Sequence, residues 1–189
     1  MTAKIPPALF DAFCVVGRDL FVQGLNSSHS GNLSALRGDT LWITRRGACL
    51  GRLGPSDIIP LSPADYHTFG PIASSELPVH EHIYHIARTR AVVHAHPPAV
   101  IALSFSRSSI EPMDLEGAHY LSRVDIVPTR KGYNPQEMAA TIARILVQAK
   151  VVVVQGHGIF SCGQSLFDAL HWASALEHAC RILLLSRLA

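Results

Sequence analysis

Long apolar runs are missing from this chain. No stretch of its 189 residues approaches the ~20 that a membrane-spanning helix needs, so no such span is expected. Charge is scarce as well. Asp, Glu, Lys and Arg make up 16% of the residues, and the 16 Lys and Arg are scattered without a basic stripe, which excludes a nucleic-acid footprint. The four cysteines, Cys14, Cys49, Cys162 and Cys180, lie far apart and form no C-x-x-C pair. That argues against an all-cysteine zinc site and for reduced, mostly buried thiols. Met1-Thr2-Ala3-Lys4-Ile5-Pro6-Pro7 has no apolar core of the signal-peptide kind, and the expected compartment is the cytoplasm. Internal repeats and low-complexity tracts are absent too.

What is abundant is apolar surface. Hydrophobic residues reach 48% and the mean hydropathy is +0.23, which excludes intrinsic disorder. The length suits one domain spanning residues 1–189, and the surplus of apolar residues points to a subunit interface. Eleven histidines, unevenly spread, are the compositional oddity.

The pattern alternates helices with strands. Leu9, Phe10, Phe13, Val16, Leu20 and Phe21 recur at helical spacing between Pro6-Pro7 and Gly24. Residues 26–32 read as a polar loop. Leu33–Leu36 and Leu41–Thr44 flank Gly38-Asp39, a hairpin signal, and residues 45–73 read as loop with short strands. Pro78–Arg88 is expected to be helical, Ala91–His96 a buried strand stopped by Pro97-Pro98, and Val151–Val154 a second buried strand. Asn134-Pro135-Gln136-Glu137 opens one late helix and Ser165, with Asp168 three residues on, opens the last. The expected class is a single α/β domain.

His94-Ala95-His96 carries the sharpest chemical signal. Strand side chains two apart share a face, so both imidazoles stand at one strand end, suited to one metal ion or to a hydrogen-bonded pair. Tetrahedral zinc needs a further His or carboxylate and a position left for substrate. His157, between Gly156 and Gly158 after the Val151–Val154 strand, is the best third histidine, its other reading being a turn residue. Glu76 precedes a helix, where a carboxylate serves as dipole or capping partner, or near a cation as ligand or proton-transfer base. His80, His82 and His85 on that helix read as surface or packing residues. Ser30-Gly31-Asn32 and Ser74-Ser75 are loops of the kind that aim N–H groups and hydroxyls at an anion, or ordinary turns.

Taken in order, Ser30-Gly31-Asn32-Leu33-Ser34, Leu41-Trp42-Ile43-Thr44 with Gly47, Ser74-Ser75-Glu76, Ala91-Val92-Val93-His94-Ala95-His96 and Gln155-Gly156-His157-Gly158 form a specific set. With the closing stretch Ser165 to Ala179, including Ala169 and Glu177, this set resembles the class II aldolase and adducin family over about residues 8–185. The resemblance implies a three-layer α/β/α domain around a largely antiparallel mixed sheet, and a homotetramer with active sites at subunit contacts. It implies that His94, His96 and His157 bind one zinc ion per subunit, with manganese or cobalt as alternatives. Glu76 would be the acid/base and a possible ligand, and Gly31, Asn32, Gly47, Ser74 and Ser75 would line a phosphate pocket. The implied reaction is cleavage of a small ketose phosphate to dihydroxyacetone phosphate and an aldehyde through a metal-stabilised enediolate. Epimerase, dehydratase or decarboxylase chemistry, or a non-catalytic adducin-like role, are the other uses of this scaffold.

Two departures stand out. Arg45-Arg46 replace the Pro and Ser or Thr that the family often places between Thr44 and Gly47. Aldolases of the family also use two tyrosines. One sits in a tail without counterpart here, and the other falls near Leu115, with Tyr120 or Glu116 as substitutes.

Overall fold

The structure, a computed structural model, describes residues 4–62, 70–129 and 134–188. Part of the expected 45–73 loop and the Met1–Ala3 start therefore lie outside the described residues. Helix α1 (Pro7–Val22) begins on a proline whose missing N–H would have had no partner there, and it buries Leu9, Phe13, Val16 and Leu20. The hairpin forms where the sequence places it, as β1 (Asn32–Arg37) and β2 (Thr40–Thr44), with Arg37 opposite Thr40. Then follow β3 (Ile58–Leu61), α2 (Leu77–Ala87), β4 (Ala91–Ala95) and α3 (Pro98–Ser104). After them come β5 (Ser109–Ile110), α4 (Leu115–Tyr120), β6 (Val124–Val127) and α5 (Pro135–Ile145). The chain closes with β7 (Val151–Val154), β8 (Gly158–Gly163) and α6 (Leu166–Leu185). Both expected caps form: Asn134 accepts the Gln136 N–H and Ser165 the Asp168 N–H.

The strands make one eight-stranded sheet in the order β3-β2-β1-β4-β8-β7-β6-β5. Every pairing is antiparallel except β6 with β7. Helices cover both faces. Phe13 of α1 and Leu176 of α6 pack on Leu33, Val93 and Val151. Val79 and Ile83 of α2 and Ile142 of α5 pack on the other face, against Val92, Val152 and Phe160. The fold is the three-layer α/β/α class with a largely antiparallel mixed sheet, as the resemblance implies. No helix among the described residues is long and apolar enough to cross a membrane.

Strand β4 is central, and its alternation positions the site. Ala91, Val93 and Ala95 join the α1/α6 core, so Val92 and His94 turn to the α2 side. Two neighbouring elements escape a one-dimensional reading. Strand β8 begins and ends on glycine, and α3 starts at the Pro97-Pro98 pair that the sequence marks only as the end of a strand.

Candidate metal centre and acid/base site

His94 is the fixed point of the cluster. It is 1% exposed and stacks on Phe160, its cross-strand partner, with ring centroids 4.3 Å apart. Its Nδ1–H donates to the Ile159 carbonyl oxygen at 2.8 Å, so the neutral ring turns a lone pair outward on Nε2. Burial, and then the neighbouring His96 and His157, hold its pKa well below the usual histidine value.

His96 lies one residue beyond β4, and its backbone N–H is held by the Leu25 carbonyl at 2.9 Å and Asn26 Oδ1 at 3.0 Å. Burial, with His157 adding to it, lowers its pKa to about 4. His157 arrives from the turn between β7 and β8. Gly156 has φ +68°, and the Gly156 N–H and Gln155 side chain are tied to Ser104 at the end of α3. Gly158 permits the close approach of that turn to β4, because a Cβ there would collide with the Ala95 carbonyl oxygen.

The three Nε2 atoms converge. Those of His96 and His157 stand 2.9 and 3.2 Å from that of His94, and all three lie within 4.8 Å of one another. Nitrogens that share a tetrahedral zinc at ~2.0–2.1 Å stand about 3.3 Å apart. Neutral, lone-pair-bearing imidazoles this close repel unless a proton or cation sits among them. The donor set therefore fits a divalent metal, and the tautomer of His94 is fixed in advance by its Ile159 bond.

Glu76 completes the cluster. It occupies the position that caps α2, yet its side chain makes no capping bond. The carboxylate is buried and its Oε1 stands 3.4 Å from His157 Nε2. Of the readings open to it from sequence, capping is the one the geometry removes.

The polar loops gather beside this cluster through Thr44. Thr44 Oγ1 accepts the Leu33 N–H at 3.2 Å and its carbonyl accepts the Ser74 N–H at 3.1 Å. That draws together the segments carrying Gly31 and Asn32, Gly47, and Ser74 and Ser75. Gly31 and Gly47 have φ of +76° and +73°. Asn32 and Ser74 are buried and Ser75 is exposed. Arg45 and Arg46 are both exposed, and Arg45 pairs with Asp57 at 2.8 Å.

Three features went unseen in the sequence. Asn26 pins His96. Glu177, matched in the resemblance but given no role, is 3% exposed and accepts the Ala99 and Val100 N–H groups at 3.1 Å, holding the start of α3 just past His96. Of the surface and packing readings of the α2 histidines, packing holds for His80, which is fully buried edge-on against Phe160 with hydrogen bonds the sequence did not announce, while His82 and His85 are exposed. Its helical spacing of four from Glu76 was the available signal. Tyr120 and Glu116 lie elsewhere in the chain, in a groove with Phe167, His171 and His178.

Comparison with known proteins agrees with this fold. The family model for the Class II Aldolase and Adducin N-terminal domain matches residues 11–184. The crystal structure of L-fuculose-1-phosphate aldolase from Thermus thermophilus superimposes with a TM-score of 0.87 at 37% identity, over 97% of this chain and 96% of that one. A 3-oxo-tetronate 4-phosphate decarboxylase of Escherichia coli K12 is 28% identical over 96% of this chain and 88% of its own length. A probable bifunctional methylthioribose-1-phosphate isomerase/methylthioribulose-1-phosphate dehydratase of Nocardia farcinica is also 28% identical, over 88% of this chain. The match there spans only 34% of that longer protein.

Proposed function

The chain belongs to the class II aldolase and adducin family, and we propose that within it the protein is a metal-dependent lyase. In this reading it cleaves a small ketose phosphate to dihydroxyacetone phosphate and an aldehyde. The observation that carries the proposal is the convergence of three histidine Nε2 atoms with a buried carboxylate 3.4 Å from one of them. His94, His96 and His157 hold one divalent cation, expected to be zinc, which when bound polarises the substrate's carbonyl and takes up negative charge developing on its oxygen.

The rest falls to the chain's own side chains. Cleavage breaks the bond between the carbons α and β to the carbonyl. The β-hydroxyl loses its proton as that carbon becomes the aldehyde, and the α-carbon must gain one. Glu76, buried beside the histidines, carries the α-carbon proton in this reading. Gly31, Asn32, Gly47, Ser74 and Ser75 hold the phosphate, with Arg46 available to add a positive charge.

One domain of this kind spans residues 1–189, and the protein assembles as a homotetramer. Phe21 and Val22 at the end of α1, and Phe167 and Leu185 on α6, leave large apolar side chains 45–72% exposed, which supports such an assembly. Light scattering showing a monomer at micromolar concentration would remove it.

The test is a screen of phosphorylated ketoses with metal-loaded protein, following dihydroxyacetone phosphate. A second reading, a dehydratase or decarboxylase on the same site, is favoured by the Nocardia and Escherichia relatives. Release of water or carbon dioxide without dihydroxyacetone phosphate selects it. Full metal loading with no turnover of any such substrate selects the non-catalytic use.

A further inference from the structure

Helix α2 carries more than Glu76. Glu76, His80 and Tyr84 recur every four residues, so they line one stripe of the helix. The stripe lies over β1 and β4, where Asn32 is the cross-strand partner of His94 and Ser34 that of Val92. From these residues runs a chain of hydrogen bonds, buried from Ser34 to Asn32. Tyr84 OH and Ser34 Oγ are 2.8 Å apart, Ser34 Oγ and His80 Nδ1 2.6 Å, and His80 Nε2 and Asn32 Oδ1 2.6 Å.

The chemistry gives this chain a direction. Burial drives the His80 pKa down to about 3, so the ring is neutral and has one donor and one acceptor nitrogen. An amide oxygen only accepts, so Nε2 carries the hydrogen. Nδ1 then accepts from the Ser34 hydroxyl, whose oxygen accepts in turn from Tyr84. With its oxygen held by His80, the Asn32 carboxamide has its NH2 turned the other way. No acceptor among the described residues takes those hydrogens, and Asn32 Nδ2 is not among the buried atoms left unpaired, which are Asn26 Nδ2 and Asp114 Oδ1. An apolar residue at position 80 would fill the space beside Phe160 without the cost of burying an imidazole. The imidazole provides orientation instead.

We propose that His80 is a positioning residue that fixes the Asn32 carboxamide with its NH2 toward the cleft, as a donor to the phosphate of the substrate. This rests on the phosphate-binding reading of Gly31, Asn32 and Ser74 given above. Tyr84 and Ser34 act through His80 by fixing its tautomer. Glu76 and Asn32 are thereby set by two successive turns of one helix, which couples the acid/base group to the anion-binding group.

The experiment measures inorganic phosphate binding to the metal-loaded protein by calorimetry, with metal content and melting temperature recorded for each variant. Wild type should bind phosphate, and failure to do so overturns the phosphate-pocket reading on which this inference stands. His80→Leu should bind phosphate roughly tenfold more weakly with its metal retained, the loss expected for one misdirected hydrogen bond to a charged group. His80→Gln, whose NH2 can donate to Asn32 while its oxygen accepts from Ser34, should recover affinity to within about threefold of wild type. Phosphate binding by His80→Leu equal to wild type refutes the positioning role while leaving the pocket standing. So does equal weakening in the Leu and Gln variants. Should His80→Leu fail to fold, nitrogen-15 spectra of the wild type still decide, with the His80 signals identified by their loss in His80→Gln. A protonated Nε2 and bare Nδ1 support the proposal, and the reverse tautomer overturns it.

Discussion

Two of the regions in which this molecule collects histidines invite comparison. One is the end of β4 and the β7–β8 turn, with His94, His96 and His157. The other is the groove between α4 and α6, a cavity of about 480 Å³ lined by His171 and His178 together with Asp114, Glu116 and Tyr120. By residue type the groove looks as capable of chemistry as the strand end. Its imidazole is used differently, however. His171 packs edge-on against Tyr120 and Trp172 at centroid distances of 4.8 and 4.9 Å, as an aromatic surface. At the strand end the rings also stack, His94 on Phe160 and His157, but a backbone carbonyl fixes the His94 tautomer and the Nε2 atoms of three rings converge. Composition and cavity size do not make a site. Backbone spacing and tautomer control do.

The largest expected effect tests the carboxylate of the first region. Glu76→Gln should lower the rate of cleavage by roughly 10²–10⁴-fold with metal and fold retained. Near-normal turnover with full metal would remove Glu76 as the acid/base. Next comes the contrast between the regions themselves. His157→Ala should weaken metal affinity by more than about 100-fold, beyond what loss of an outer partner costs, whereas His171→Ala should leave metal content unchanged. Elemental analysis of dialysed protein checks both, and equal metal in the two variants erases the distinction.

A smaller effect concerns the backbone that brings the turn to β4. Gly158→Ala should destabilise the protein by about 1–3 kcal/mol, because its Cβ meets the Ala95 carbonyl and lies 2.8 Å from the His96 ring. Denaturant unfolding reads this directly, and an unchanged midpoint would mean that the close approach is not a constraint.

The mildest prediction is one of pH. The folded-state pKa of His80, about 3, lies below its unfolded value near 6.5. Between those values the unfolded chain binds more protons, so this contribution to stability is complete above about pH 6.5. It is lost as pH falls toward 3, at no more than about 1.4 kcal/mol per pH unit. Melting temperatures of His80→Gln should therefore fall less steeply over that window than those of wild type. Parallel slopes would show that His80 is not buried neutral.

Much of this was legible in one dimension. The α1 stripe, the Gly38-Asp39 hairpin, the Asn134 and Ser165 caps and the Val-rich strands all rest on local rules of spacing and capping, and all form. Strand β8 and helix α3 were not legible. The first is six residues that begin and end with glycine, and the second has its start held by Glu177 from a helix nearly eighty residues away. In sequence His80 reads only as a surface or packing residue because its partners, Asn32 and Ser34, lie 48 and 46 residues from it.

The sequence by itself determined which residues are candidates for chemistry. The two-residue spacing of His94 and His96 follows from the pleat of any strand, and the glycines around His157 announce a turn whatever the fold. Only the tertiary structure decided that these pieces meet. Antiparallel pairing of β4 with β8 places Ile159 to fix the His94 tautomer and brings His157 within reach, and the lie of α2 sends Glu76 to His157 and His80 to Asn32. Local rules cannot specify such contacts. They depend on which strands become neighbours, and that is settled by burying the apolar faces of the whole sheet at once.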